Sequence, residues 1–365
     1  MKTAWIVGGL VVGLLLFGII YPCLAPAGQL SATAEYSVLQ PIRHGALTIF
    51  PVVAAGDSHD TRQFITLDEG LRSGEVVISE TGSASPLVRP RHNEEVWQEG
   101  RRGGAQVNAL VLVNNSKRPL ILLAGEIVTG GKQDRIIGKD RLVPAESDPI
   151  DLSVFCVEPG RWVGTSGNFR MTPAMVQPSV RAKAMSDKDQ QKVWNEVGSA
   201  RTAMANGLSP RASETVEVTS SYAGVVQNEE VQRKLDAVAA PVEHEYQSLI
   251  RQLKDQNAVG VVVAVNGEIV WADIFASSDL LAKYWPKLVR SYAAEAVTSQ
   301  GKHAEIDQKA AQQFLNLMEG RRQVVENEPG LFRHTETTGD SFRVFELTSL
   351  LPKTGFDLHI AKIAD

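Results

Sequence analysis

The stretch AVGVVVAVNGEIVWADIF, residues 258–275, sets two apolar, β-branched runs on either side of Asn266-Gly267. Asn-Gly supplies the two positive-φ residues that a two-residue type I′ turn requires, so the pattern predicts a β-hairpin. Its place in the chain decides the fold class. Before it, Val231, Leu235, Val238, Tyr246, Leu249, Ile250 and Leu253 recur at helical spacing, and after it Leu281, Tyr284, Trp285, Leu288, Val289 and Tyr292 do the same. A hairpin is antiparallel, whereas parallel strands need a crossover between them. Helices interleaved with hairpins predict an α+β protein rather than a βαβ chain.

Working towards the C-terminus, Pro286 is expected in the first turn of the helix that follows the hairpin, a further helix spans 303–319, and FRVFEL and FDLHIAKI close the chain as strands. Towards the N-terminus, Pro241 is expected to kink or split the helix over 229–254, and 207–221 reads as a polar loop. Ser186 with Asp189 three residues on opens another helix as a capping box, with Val193, Trp194, Val197 and Ala200 on its apolar face. Residues 40–162 are mostly strand and turn: LTIFPVVAA, VVISE, VNALVLVNN, PLILLAGEIV and DLSVFCVE. Asn114-Asn115-Ser116-Lys117 predicts a hairpin joining 107–113 to 120–128, and Asp68 and Glu69 suit the first turn of a short helix at 66–71. The organisation expected is a β-sandwich-like antiparallel part over 39–165 and a helix-rich part with packed hairpins over 166–365, both of one domain.

The 365 residues carry 37 Lys and Arg against 42 Asp and Glu, a formal net charge of -5 with both signs dispersed. That excludes a nucleic-acid binder relying on a broad basic face. Residues 1–27 depart from this composition. Lys2, an unbroken apolar run over 6–20 and Ala25-Pro26-Ala27 make a signal-like segment, too short for an ordinary spanning helix. It is expected to be a cleaved export signal or an uncleaved anchor, which makes the body periplasmic or extracellular and limits membrane contact to this segment. Removal of Cys23 with the signal leaves Cys156 alone, so no internal disulfide forms.

Chemistry concentrates in AGEIVTGGKQDRIIGKDRLVPA, residues 124–145. Gly125, Gly130 and Lys132 suggest a phosphate loop, but an extra glycine intervenes and Gln133 stands where the hydroxyl should be. The zincin-like Glu243-His244-Glu245 has Ser248 where a second histidine is needed, and His44, His59, His92, His303, His334 and His359 lack ligand spacing, reading as surface or capping residues. No metal or cofactor is expected, and no Gly-x-Ser-x-Gly elbow occurs. Cys156, in the apolar run SVFCV, is either a buried small hydrophobe or a nucleophile needing a nearby cation. What remains is a polar constellation of Glu126, Gly130, Gly131, Lys132, Gln133, Arg135, Glu158, Arg161 and Trp162. It offers bidentate donors, carboxylates, an aromatic face and glycines that admit close approach. It could hold a ligand or brace two hairpins.

GEIVTGGKQDRII followed by LVPA and CVEPGRW, with VGVVVAVNGEIVWADIF and LLAKYWPKLVRSYAAEAV further on, resembles the ARPP domain family, whose name expands to ARG and rhodanese-phosphatase-superfamily-associated protein domain. The likeness spans residue 39 to the end, with Gly131, Asp134 and Pro159 as departures from its pattern. The resemblance implies no established reaction. The function expected is an exported binding or interaction module that recognises an anionic small molecule or an envelope protein through Gly130, Gly131, Lys132, Gln133, Arg135, Arg161 and Trp162. The alternatives are a hydrolase or transferase with Glu126 or Glu158 as general base or Cys156 as nucleophile, and a scaffold in which the constellation is an internal salt-bridge network.

Overall fold

The computed structural model describes residues 36–56, 58–81, 108–164, 166–252, 257–301 and 304–365. The signal-like segment, His92 and His303 lie outside them. The strands in chain order are β1 (Tyr36–Val38), β2 (Ile42–His44), β3 (Leu47–Ala54), β4 (Ile65–Thr66), β5 (Val76–Glu80), β6 (Ala109–Asn114), β7 (Leu120–Leu122), β8 (Glu126–Gly130), β9 (Arg135–Ile137), β10 (Arg141–Val143), β11 (Ile150–Cys156), β12 (Phe169–Met175), β13 (Asn257–Val265), β14 (Glu268–Phe275), β15 (Arg321–Glu328), β16 (Phe332–Thr338), β17 (Phe342–Ser349) and β18 (Asp357–Ala364). The helices are α1 (Leu67–Ser73), α2 (Pro178–Ala182), which runs on into a π-turn over Lys183–Asp187, α3 (Gln190–Ala205), α4 (Pro210–Val218), α5 (Tyr222–Val226), α6 (Glu229–Gln252), α7 (Ser278–Thr298) and α8 (Gln308–Asn316). The protein is α+β, and its strands pair antiparallel except where β4 meets β7.

The hairpin at Asn266-Gly267 forms as its sequence predicts. Val265 faces Glu268 across a two-residue loop whose φ values are 53° and 85°. From this nucleus a nine-stranded sheet grows in both directions, in the order β1-β3-β13-β14-β18-β17-β16-β15 with β2 also on β3. Residues 34–365 cluster as one compact unit, and the β3–β13 pairing joins the early strands to the late ones. The valine run of β13 has two buried faces. Val261, Val263 and Val265 pack with α6 and α7, while Val262 and Ala264 pack with Ala311 and Leu315 of α8. A strand covered on both sides loses polar alternation, which is why this run is apolar throughout.

Two smaller sheets, β12-β8-β9-β11-β6-β5 and β10-β7-β4, enclose a sandwich-like core of Ile65, Ile78, Leu112, Leu120, Val128 and Val154. The other face of β8, β9 and β11 packs under α2 to α5 through Ile127, Ile136, Phe155, Val180, Val197 and Tyr222.

Several local expectations are corrected. The segments 107–113 and 120–128 do not form a hairpin: β6 pairs with β5 and β11, and β7 pairs with β10 and β4. Asn114 is the cause. Fully buried, it donates to the carbonyls of Arg118 and Pro144, and its neighbour Asn115 donates to Glu75, so the turn bridges two sheets. The N-cap of α3 is Asp189 itself, accepting from the Lys192 amide, and Ser186 lies in the π-turn. Residues 210–218, read as loop, are helical because Ser209 caps them and Pro210 takes the first helical position. Pro241 lies inside α6 and Pro286 inside α7, and neither ends its helix. The helix expected over 303–319 is confined to α8, capped by Asp307. Strands β12, β15 and β16 were not expected; β15 is a largely exposed edge whose polar composition hides it.

Candidate functional site

The GGKQ segment is the loop of a β-hairpin rather than a strand-to-helix phosphate loop: Ile127 faces Ile136 and Val128 faces Arg135, with residues 131–134 between. Gly130 and Gly131 have φ of 126° and 52°. A Cβ on Gly131 would come within 2.4 Å of Phe169 and 2.5 Å of Glu80 Oε1, so glycine is required there by both backbone and space. The loop's amides point inwards. Gly130 N–H donates to Asp134 Oδ1 at 3.1 Å, Gly131 to Ser166 Oγ at 3.2 Å, Lys132 to Glu80 Oε1 at 2.7 Å and Asp134 to Glu158 Oε2 at 2.9 Å. An anion-binding nest needs such amides turned towards a ligand.

CVEPGRW meets the loop from β11. Arg161 holds Glu158 through Nε and Nη2, both at 2.6 Å, and its remaining donors reach the carbonyls of Gly131 at 3.0 Å, Val163 at 2.9 Å and Gly130 at 3.4 Å. Glu158 raises the Arg161 pKa further. Gln133 Nε2 donates to the Glu158 carbonyl at 3.0 Å, and Ser221 donates to Asp134 at 2.6 Å, pinning the start of α5 to the loop. Burial raises the Asp134 carboxyl and lowers the Arg135 guanidinium. Arg135 has no exposed surface at all, whereas Trp162 is 43% exposed with the Lys132 ammonium 4.9 Å from its ring centre. The structure thus brings Gly130, Gly131, Gln133, Glu158 and Arg161 into one mutually bonded knot, sinks Arg135 beneath it, and leaves Lys132 and Trp162 facing solvent.

The three catalytic candidates are engaged internally. Cys156 is fully buried; burial pushes its thiol up, and its Sγ accepts the Glu158 amide at 3.4 Å. A nucleophile needs the reverse, a lowered pKa and access. Glu126 stands apart from the knot. It is buried at the start of β8, where Lys287 of α7 bridges it at 2.5 Å to Asp68 of α1 at 2.9 Å. Burial raises the Glu126 carboxyl against the pull of Lys287. Glu158 spends both oxygens on Arg161.

Two further polar groups were not anticipated. The first lies in the core, where Arg181 of α2 makes a two-pronged bond to Asp273 of β14 at 3.0 and 3.1 Å. His359 of β18 bridges Asp273 at 3.0 Å to Asp140 at 2.6 Å, and Tyr292 of α7 donates to Asp273. None of the four charged groups is exposed. Burial works against the His359 imidazolium, but Asp140 and Asp273 outweigh it and raise the pKa to about 9. Burial is likewise outweighed at Asp273, which Arg181 and His359 depress. The AGE segment feeds this network: the Ala124 amide donates to Asp140, its carbonyl accepts from Arg181, and a Cβ on Gly125 would sit 2.5 Å from the Arg181 side chain. In the sequence Asp273 stands alone in the apolar run IVWADIF, with nothing nearby to name its partner.

The second group surrounds a cavity of about 320 Å³ beyond the far end of β9, lined among others by Gly138, Lys139, Phe155, Met185, Lys188 and His334. His334 is 3% exposed, and neither ring nitrogen has a hydrogen-bond partner among the described residues. Burial lowers its pKa. His334 and His359, expected at the surface, are therefore corrected to buried. Among the described residues no group of three His, Cys, Asp or Glu is placed to hold a metal, and no helix is long and apolar enough to cross a membrane.

These features define an α+β domain of mostly antiparallel strands in which the described residues form two internal charge networks and a cavity of mixed polar and apolar lining. The model of the family described as ARG and Rhodanese-Phosphatase-superfamily-associated Protein domain matches residues 35–357, and the chain belongs to that family. Comparison with curated proteins and with solved structures gave no match.

Proposed function

We propose that the chain is a non-catalytic small-molecule-binding module whose ligand sits in the cavity beneath Gly138 and Lys139, at the opposite end of β9 from the hairpin tip. The observation that carries this reading is His334: a side chain so deeply buried, with neither ring nitrogen paired among the described residues, is unusual, because each unmet hydrogen bond costs free energy. A ligand in the cavity would meet it. On the same reading the knot around Arg161 is the brace that fixes the hairpin, in line with its internally directed amides. The module is proposed to work outside the cytoplasm, on the strength of Lys2, the apolar run over 6–20 and Ala25-Pro26-Ala27; mass spectrometry of the protein from its native host would reveal whether the segment is cut.

Ala184, 1% exposed, lines the cavity, so Ala184→Phe should fill it. A thermal-shift screen of a fragment library is expected to give compounds that stabilise the parent protein and lose that effect on the variant. Compounds that stabilise both forms equally would refute the cavity as the seat.

A further inference from the structure

The chemistry of the cavity wall goes further than the presence of a cavity. Resting on the cavity reading above, we infer that its ligand is an amphipathic acid, with an apolar body inside and one carboxylate or phosphate at the mouth between Lys139 and Lys188. The body is indicated by the lining. Val154, Phe155, Ala184, Met185 and Phe345 present apolar surface, and Met185 adapts to irregular shapes. The space equals about ten liquid waters, which limits the body to a short chain or a single ring system.

The charge is indicated by the mouth. Among the described residues no Asp or Glu lines the cavity, while Lys139 and Lys188 do. Lys139 pairs with Glu326 of β15, and Lys188 pairs with Glu336 of β16 at 2.9 Å. The two lysine side chains are 32% and 52% exposed. The glutamates are less open, at 25% and 16%, so an incoming anion would share each lysine with its glutamate rather than displace it, using the water-exposed side of the ammonium. Both glutamates belong to one hairpin, which also contributes Val325 and His334 to the wall. The acid and that hairpin therefore share the same two cations. On the wall, His334 in its neutral form offers one donor and one acceptor, which suits a hydroxyl or carbonyl carried on the apolar body.

The test uses the full chain and matched probes: decanoate and 4-phenylbutanoate, their primary amides, and inorganic phosphate, titrated by calorimetry. We expect at least one acid to bind at least tenfold more tightly than its amide and inorganic phosphate to bind more weakly than either. In Lys139→Met/Lys188→Met the acid should fall to the level of the amide, whose retained binding also reports that the variant is folded. Amides that match acids on the parent protein would overturn the acid assignment while leaving the cavity reading intact. Acids that bind Ala184→Phe undiminished would overturn both. Failure of both acids to bind at millimolar concentration, or inorganic phosphate binding as well as the acids, would overturn the amphipathic ligand.

Discussion

At the hairpin tip Arg161 grips Glu158 three residues earlier in the chain, and the pair keeps partial contact with water. In the core Arg181 grips Asp273 across 92 residues of sequence, with no exposure on either side. Residue types and bonding are nearly the same, but the surroundings reverse what each arrangement is for. A partly hydrated pair can form, loosen and re-form at small cost, and it suits a loop that must hold shape locally. A dehydrated pair has surrendered its hydration, so each partner depends wholly on the other. The core network accordingly ties α2, β14, β18 and the segment after β9 into one unit, whereas the tip knot orders a single loop against α5.

That contrast makes the largest predicted effect the loss of one core partner. Asp273→Asn leaves Arg181 buried without its directly bonded carboxylate and should cost about 3–5 kcal/mol of unfolding free energy in urea titrations. Adding Arg181→Met to the same protein removes the stranded charge, and the double variant should be more stable than Asp273→Asn alone. If the two losses simply add, the core pair is not coupled and the comparison fails.

Next in size is the pH response of His359. Its folded pKa of about 9 lies above the ordinary 6.5, so its contribution is fully present below pH 6.5 and disappears as pH rises through 9. Asp140 and Asp273 are depressed, so their contribution is present above about pH 4 and lost as pH falls. The stability difference between the parent and His359→Gln should therefore be greatest between about pH 4 and 6.5, and should shrink by on the order of 3 kcal/mol by pH 9. A difference that stays flat from pH 6 to 9 would mean that His359 is not protonated in the folded protein.

The same contrast explains what the sequence could and could not show. The Asn266-Gly267 hairpin and the short helix α1 with Asp68 and Glu69 in its first turn are set by residues a few positions apart, and both were legible, although Thr66 proved to be the cap of that helix rather than its first residue. So was the grouping of Gly130, Gln133, Glu158 and Arg161, because β9 and β11 are near in sequence and pair directly, Arg135 opposite Cys156. Turn chemistry at Asn114 was visible, but it fits a hairpin and a bridge between sheets equally well. Only the distant Pro144 carbonyl decides between them. The core network was illegible because Asp140, Arg181, Asp273 and His359 come from separated segments, and a buried charge looks like any other charge until its partner is known. His334 was hidden for the same reason: FRHTETT is polar enough to pass for surface.

The smallest effects belong to the tip, where they separate brace from ligand site. Arg161→Ala removes five donors from a knot that is only partly wet, so it should cost about 1–2 kcal/mol after allowing for solvent, well below the core variant. Lys132→Ala and Trp162→Ala remove side chains whose charge and ring already face water, and each should stay within about 0.5 kcal/mol of the parent. If the knot is a brace, Arg161→Ala should also speed hydrogen exchange at the Gly131 and Lys132 amides, while leaving untouched the affinity of any compound that Ala184→Phe excludes. If instead Lys132→Ala abolishes binding of such a compound without loss of stability, the hairpin tip is a recognition surface after all. The difference between the two networks would then be one of function as well as hydration.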